Sequence, residues 1–248
     1  MARAFDDAST EYLEIDQAVI PNWPVTMAAW FNSDDATVTQ AILSVVDKDV
    51  AAKMHFLEVA GAVAGDPVRM ASITAGSPEY ATSTTGYTAG TWHHAAGVVS
   101  AADARAAYID GGSKGTNAVA EDPGAVLDRT SIGRLGDSTP SQYFSGGIAE
   151  VAVWNAALTD AEIIILARGF SPLFVRPQSL VAYWPLIRDT DLDIVGGYNL
   201  TAFNTPTIAT HPPKIFLPAP AFALDFYVAL GGLSIPVAMH HRKMQEMS

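Results

Sequence analysis

Two histidines stand side by side in TWHHAAGVV, at His93 and His94, between a tryptophan and a run of small apolar residues. Paired imidazoles bind a metal or pass a proton only when both rings reach one point. The stretch reads as a strand, where neighbours project to opposite faces, so the two rings cannot hold one ion without a bulge between them. His94 then shares a face with Trp92, Ala96 and Val98, and His93 with Ala95, Gly97 and Val99. Both are expected to be packed rings, hydrogen-bonded to neighbouring backbone or hydroxyl groups. A second pair, His240-His241, sits beside Arg242 and Lys243 and reads as a solvated or subunit-contacting segment.

Carboxylates are the next candidates. Glycoside hydrolysis needs two of them flanking the scissile bond. Glu14 and Asp16 share a strand face, but the next positions on that face are Ala18 and Ile20, so the row of acids stops short and the pair reads as a solvated face. Asp189, Asp191 and Asp193 alternate in DTDLD, an oxygen-rich arrangement of the kind that can hold Ca2+. Neither the glycine nor the closing glutamate of an EF-hand follows, so the expectation is a solvated acidic turn and no cofactor, with Ca2+ as the alternative. G-x-S-x-G, G-x-x-x-x-G-K-S/T and H-E-x-x-H patterns are all missing from the sequence. Sugar binding leaves no linear motif. Tyr80, Tyr87 and Tyr143 lie in or beside loop-like sequence and could form an aromatic surface, although a buried ring with a hydrogen-bonded hydroxyl is the ordinary role of tyrosine.

The elements that position these residues are mostly strands. Of 248 residues, 49% are apolar and only 16% charged, with 19 glycines and 15 prolines punctuating short apolar or alternating runs. Such runs include YLEID from Tyr12, VTMAAWF from Val25, AILSVVD from Ala41, MHFLEVA from Met54, LVAYWPL from Leu180 and YNLTAF from Tyr198. Asp110-Gly111-Gly112 is a hairpin signal. One segment, TDAEIIILARG, reads as a helix: Thr159 caps it, Glu162 completes a capping box, and Gly169 supplies the left-handed C-terminal cap. The length suits one large β domain.

A net charge of −12 with no basic run argues against nucleic acid. The absence of cysteine excludes disulfides and thiolate chemistry. Asp6 and Asp7 interrupt any secretory h-region, and Asp225 with Pro218, Pro220 and Pro236 breaks the apolar stretch near the other end, so neither a signal peptide nor a membrane span is expected.

In order, AFDD, YLEI, PVTMAAWF, GTWHHAAGVV, AAYIDGG, SIGRLGD and YFSGGIAEVAVWNAALTDAEI resemble the laminin G-like branch of the concanavalin A-like lectin/glucanase superfamily, over roughly Arg3 to Gly169. The resemblance implies an all-β fold, a two-sheet antiparallel jelly-roll sandwich with one short helix, here followed by an extended C-terminal arm. Trp30 would lie in a central strand. The family phrase usually carries an acid before the glutamate of its last strand; Ala149 stands there instead, which weakens any calcium role. The expected division is 1–170 for the sandwich, 171–212 for strands that complete it or begin a truncated repeat, and 213–248 for the apolar arm.

GGLSIPVAMHHRKMQEMS resembles the endings of laminin G-like proteins of tailed bacteriophages and prophages. That resemblance implies a non-enzymatic virion structural protein, a capsid decoration or tail-associated component made in the host bacterial cytoplasm. Its partners would be other virion chains or further copies of itself. Phe226, Tyr227, Leu230, Ile235 and Met239 are the docking residues expected in the arm, since a soluble monomer rarely leaves so much apolar surface uncovered. The alternative is a carbohydrate-binding module that recognises a cell-surface glycan.

Overall fold

A computed structural model describes residues 2–124, 126–187, 191–212, 215 and 216. Phe226, Tyr227, Leu230, Ile235, Met239 and the His240-His241 pair lie outside the described residues. Among the described residues, no helix is long and apolar enough to cross a membrane.

Two antiparallel sheets face each other, with strands numbered in chain order. Sheet A runs β10 (Gly112–Asn117), β9 (Ala104–Ile109), β8 (His93–Ala101), β3 (Val25–Ser33), β12 (Gly146–Trp154), β1 (Ala2–Phe5) and β15 (Thr207–Ala209), with β13 (Leu180–Trp184) also paired to β12. Sheet B runs β14 (Thr201–Phe203), β2 (Tyr12–Ile15), β11 (Arg129–Ile132), β4 (Thr39–Val46), β5 (Met54–Ala60), β6 (Pro67–Ile73) and β7 (Glu79–Gly86). LVAYWPL therefore completes this sandwich from the C-terminal side, and Trp30 lies in a strand flanked by β8 and β12, as the resemblance implies.

The period of two sorts side chains between the sheets and the outside. Leu13, Met27, Phe31, Leu43, Leu57, Met70 and Ile148 point inward and form the core. On the outer face of sheet A, Ala28, Ala96, Ala106 and Ala152 present only methyl groups, which lets α1 (Asp160–Ala167) lay Ile163 and Leu166 against them. The helix begins as its sequence dictates: the Thr159 side chain accepts from the Glu162 amide, and the Glu162 carboxylate accepts from the Thr159 amide at 2.7 Å. Gly169 takes a φ of +89°, the left-handed closure. The turn between β9 and β10 places Asp110 at φ +51° and Gly111 at φ +76°, both in the region a tight hairpin demands.

That turn also answers the question of the histidine pair. Asp110 accepts from His93 Nδ1 at 2.7 Å and from the His94 amide at 2.9 Å. His93 Nε2 accepts from the Thr88 amide at 3.1 Å, so both ring nitrogens are engaged and neither is free for proton transfer. His94 points to the other face, 5.6 Å from the Trp30 ring, in a recess also lined by Leu166 and Pro172. Burial there pushes its pKa down to about 4. His94 departs from expectation in one respect: Nδ1 has no hydrogen-bond partner among the described residues.

Gly97, in the same stretch, faces sheet B. A Cβ there would stand 2.4 Å from Met70 Sδ and 2.7 Å from Met70 Cβ, so the glycine is the hollow into which Met70 fits. Gly97→Ala should therefore destabilise the fold by about 1–3 kcal/mol. A urea titration that returned an unchanged midpoint would show that the sheets are not packed this closely.

Candidate functional site

The richest chemistry lies on the outward face of sheet B. Tyr12, Glu14 and Asp16 project from β2 on the side opposite Leu13, and β11 aligns Ser131 with Glu14 and Thr130 with Ile15. Loop 133–145 crosses this face. Ser44 Oγ donates to the Arg134 carbonyl at 2.9 Å, and the Ala41 amide donates to the Gln142 carbonyl at 2.9 Å, which ties both ends of the loop to β4. The loop brings Arg134 and Tyr143 to β2.

At this junction the Tyr12 ring is held between two planes. Phe203 stacks on it at 4.7 Å with an interplanar angle of 8°, and the Arg134 guanidinium lies 3.5 Å from its centroid. Tyr143 leans in at 6.2 Å, its hydroxyl accepting from Arg134 Nη1 at 3.4 Å. Phe203 is 38% exposed and Tyr143 is partly exposed, so an aromatic shelf faces solvent.

Glu14 is the correction to the sequence reading: its carboxylate is buried, not solvated. It accepts from Ser131 Oγ at 2.6 Å and from Arg134 Nε at 3.1 Å, and Arg129 Nε lies 3.3 Å away. The physical reason is that the arginines come from β11 and the loop beyond it, more than 110 positions away in sequence. Asp16, with its side chain 55% exposed, accepts from Arg129 Nε at 2.8 Å and faces Lys48 at 3.5 Å. The Arg129 hydrogen bond, against a smaller burial cost, holds its carboxyl below the usual range. Asp16 and Asp128 also line a cavity of about 390 Å3 floored by Leu127 and Tyr198, which continues the face beyond the end of β2.

Beyond the loop lies a second cluster. Glu58 on β5 is fully buried beside Arg69, 3.5 Å from its guanidinium, and Arg69 in turn stacks 4.5 Å over the Tyr80 ring. Burial pushes the Glu58 carboxyl up to about 7 and the Tyr80 hydroxyl to about 12. Glu58 Oε2 and Gln142 Oε1 have no hydrogen-bond partner among the described residues. Of the three tyrosines weighed for a sugar surface, Tyr80 and Tyr143 reach this face, whereas Tyr87 is buried in the core with its hydroxyl donating to the Asp35 carbonyl at 2.8 Å.

The aspartate loop is also corrected. Asp193 is buried and accepts four backbone amides, from Tyr183, Val195, Gly196 and Tyr198, at 2.8–3.0 Å. Asp191 is buried against Arg3 at 3.0 Å. These acids organise a turn instead of lying in solvent; Asp189 lies outside the described residues. Among the described residues, no group of three or more acidic or histidine side chains converges as a metal site. Tyr12, Phe203, Arg129 and Arg134 were not singled out from sequence. Tyr12 was nonetheless discoverable, since it sits two residues before Glu14 and so must share its face.

The raised pKa of Glu58 makes a pH prediction. Its folded form holds the proton up to about 7, while the unfolded chain releases it near 4.5, so its contribution to stability falls as pH rises between these values. Glu58→Gln should remove this slope. Urea midpoints of the two proteins should diverge progressively from pH 5 to pH 7, with the variant gaining on the parent; parallel profiles would mean that Glu58 is ionised throughout.

A model of the concanavalin A-like lectin/glucanases superfamily matches residues 7–164. Comparison with curated proteins returns no match. Among solved structures, the fold is similar to the heptameric SAP-like pentraxin of Limulus polyphemus, with a TM-score of 0.59 and 17% identity, covering 83% of this chain and 92% of that one. It is similar to a candidate carbohydrate-binding protein of Bacteroides ovatus, with a TM-score of 0.58 and 20% identity, over 87% of this chain but only 61% of that longer one. Domain 4 of AbnA, an extracellular arabinanase of Geobacillus stearothermophilus solved with arabinotriose, aligns with a TM-score of 0.51 and 16% identity, covering 62% and 71% of the two chains. At these identities the likeness is one of fold.

Proposed function

The chain belongs to the concanavalin A-like lectin/glucanases superfamily, and from that premise we propose that it is a non-catalytic module that binds a glycan on the outward face of sheet B. The observation that carries this reading is the stack of Phe203, Tyr12 and Arg134 with Tyr143 beside it. A pyranose needs an apolar platform for its C–H face and fixed donors and acceptors for its hydroxyls. Phe203 and Tyr143 supply the first, and Asp16, Arg129 and the Tyr143 hydroxyl the second. Because Arg129 and Arg134 are already held by Glu14 and Asp16, their hydrogen-bond directions are set before a ligand arrives, which lowers the entropic cost of binding.

Catalysis is a poor fit to the same residues. A glycosidase acid must carry a proton to the leaving oxygen. Glu14 is instead surrounded by donors, a serine hydroxyl and two guanidinium groups, and is held as an acceptor. The virion role expected from the arm rests on Phe226, Tyr227, Leu230, Ile235 and Met239, outside the described residues, so the glycan reading stands on sheet B alone.

The test is a glycan array probed with the full chain, followed by titration of the best hit. Phe203→Ala and Tyr143→Ala should each weaken that hit about tenfold, equivalent to roughly 1.4 kcal/mol, while the sandwich stays folded by circular dichroism. An array without hits, or a hit indifferent to both substitutions, would remove the proposal.

A further inference from the structure

A second cavity lies on the opposite side of the sandwich, on the outward face of sheet A. It has a volume of about 590 Å3, within the range of small-ligand sites, and is open to solvent along the strands. Its floor is apolar and nearly flat, because β8 and β9 place Val98, Ala104 and Ala106 there and Leu158 closes one side. From Ala104 to Tyr108 it follows five residues of β9, four steps of about 3.3 Å and so a length of about 13 Å.

The rim is polar at both ends. At one end Asp160 Oδ1 accepts from the Tyr108 hydroxyl at 2.7 Å and from Lys114 Nζ at 2.8 Å, with the ammonium 5.4 Å from the Tyr108 ring centre. Lys114 has three N–H donors and Asp160 two oxygens, so this pair still offers donors and an acceptor to a ligand. Thr116 flanks the middle, and Ser100 with Asp103 stands at the far end.

From this arrangement we infer that the trough is a second binding site, for a short neutral oligosaccharide. An apolar floor suits the C–H faces of successive rings, and a rim of interleaved donors and acceptors suits hydroxyls that both give and take hydrogen bonds. Anionic ligands are disfavoured. Lys114 is paired with Asp160, the buried Arg105 guanidinium that also lines the trough is engaged by the Ala102 and Val119 carbonyls and the Asn117 side chain, and Asp103 repels an anion. The site does not depend on the sheet B reading, since it shares no residue with that face. Two sites on opposite faces would let one chain bridge two glycan strands, with the gain in avidity that follows.

The experiment uses the full chain, isotopically labelled, with maltotriose, cellotriose and xylotriose added separately at high millimolar concentration. At least one trisaccharide should shift the backbone amides of Ala104, Ala106, Thr116 and Asp160. Thr116→Trp, which fills the trough from an exposed rim position, should abolish those shifts, and Lys114→Met should raise the dissociation constant about tenfold. Phe203→Ala should leave them unchanged, which separates this site from the one on sheet B. The inference is overturned if none of the three sugars moves these amides, or if the shifts persist in Thr116→Trp; shifts confined to Tyr143 and Phe203 would overturn it while supporting the first site.

Discussion

Strand β12 has no surface, and much of the architecture follows from that. All nine of its residues are buried, and hydrogen bonds occupy both of its edges. One edge belongs to β3, at Gly146–Ala149 and again at Ala152–Trp154. The other is divided, with β1 pairing at Gly146–Ile148 and β13 at Val151–Trp154. At the division Glu150 takes a left-handed φ of +54°, the register against β3 shifts, and a carboxylate is left in a buried position. A buried acid must be hydrogen-bonded, and here the Tyr183 hydroxyl and His211, at 3.0 Å, bring donors from β13 and from the segment after β15. The seam between the N-terminal and C-terminal strands is thus closed by one polar cluster.

The two outward faces are managed differently. Sheet A carries alanines and is covered by a short helix, which leaves a trough where the cover stops. Sheet B carries aromatics and charges, and loop 133–145 lies over it. Buried charge is costly unless paired, and each arginine brought to this face meets an acid: Arg134 and Arg129 meet Glu14, Arg129 meets Asp16, and Arg69 lies beside Glu58, which keeps its proton up to about 7. The result is a polar surface of nearly fixed geometry with little net charge, on a chain that is strongly acidic overall.

How much of this was legible in sequence depends on the range of the interaction. The capping box of Thr159 and Glu162 joins residues three apart, and the Asp110-Gly111 turn is read from the turn residues themselves; both were readable directly and both are present. The opposite projection of His93 and His94 follows from strand periodicity alone. Glu14 was misread as solvated because its partners lie on β11 and the loop beyond it, and nothing near Glu14 announces them. Asp193 was misread for a related reason: a short acidic run looks the same whether it faces water or gathers four amides around a turn.

The sequence by itself determined the strand and helix periods, the turn and cap chemistry, the sandwich class, and the exclusion of thiol chemistry. The periods and the turn and cap chemistry rest on φ/ψ preference and side-chain alternation, which are properties of neighbouring residues; the sandwich class follows from the series of motifs that resembles the laminin G-like family, and the exclusion of thiol chemistry from composition. Tertiary structure alone decided which carboxylates are buried and paired, which tyrosines face outward, and that LVAYWPL closes the first sandwich instead of opening another. Those outcomes depend on burial and on partners 100 or more positions away, as with Glu14 and Arg134 at a separation of 120, and burial has no local signature until the two sheets have met.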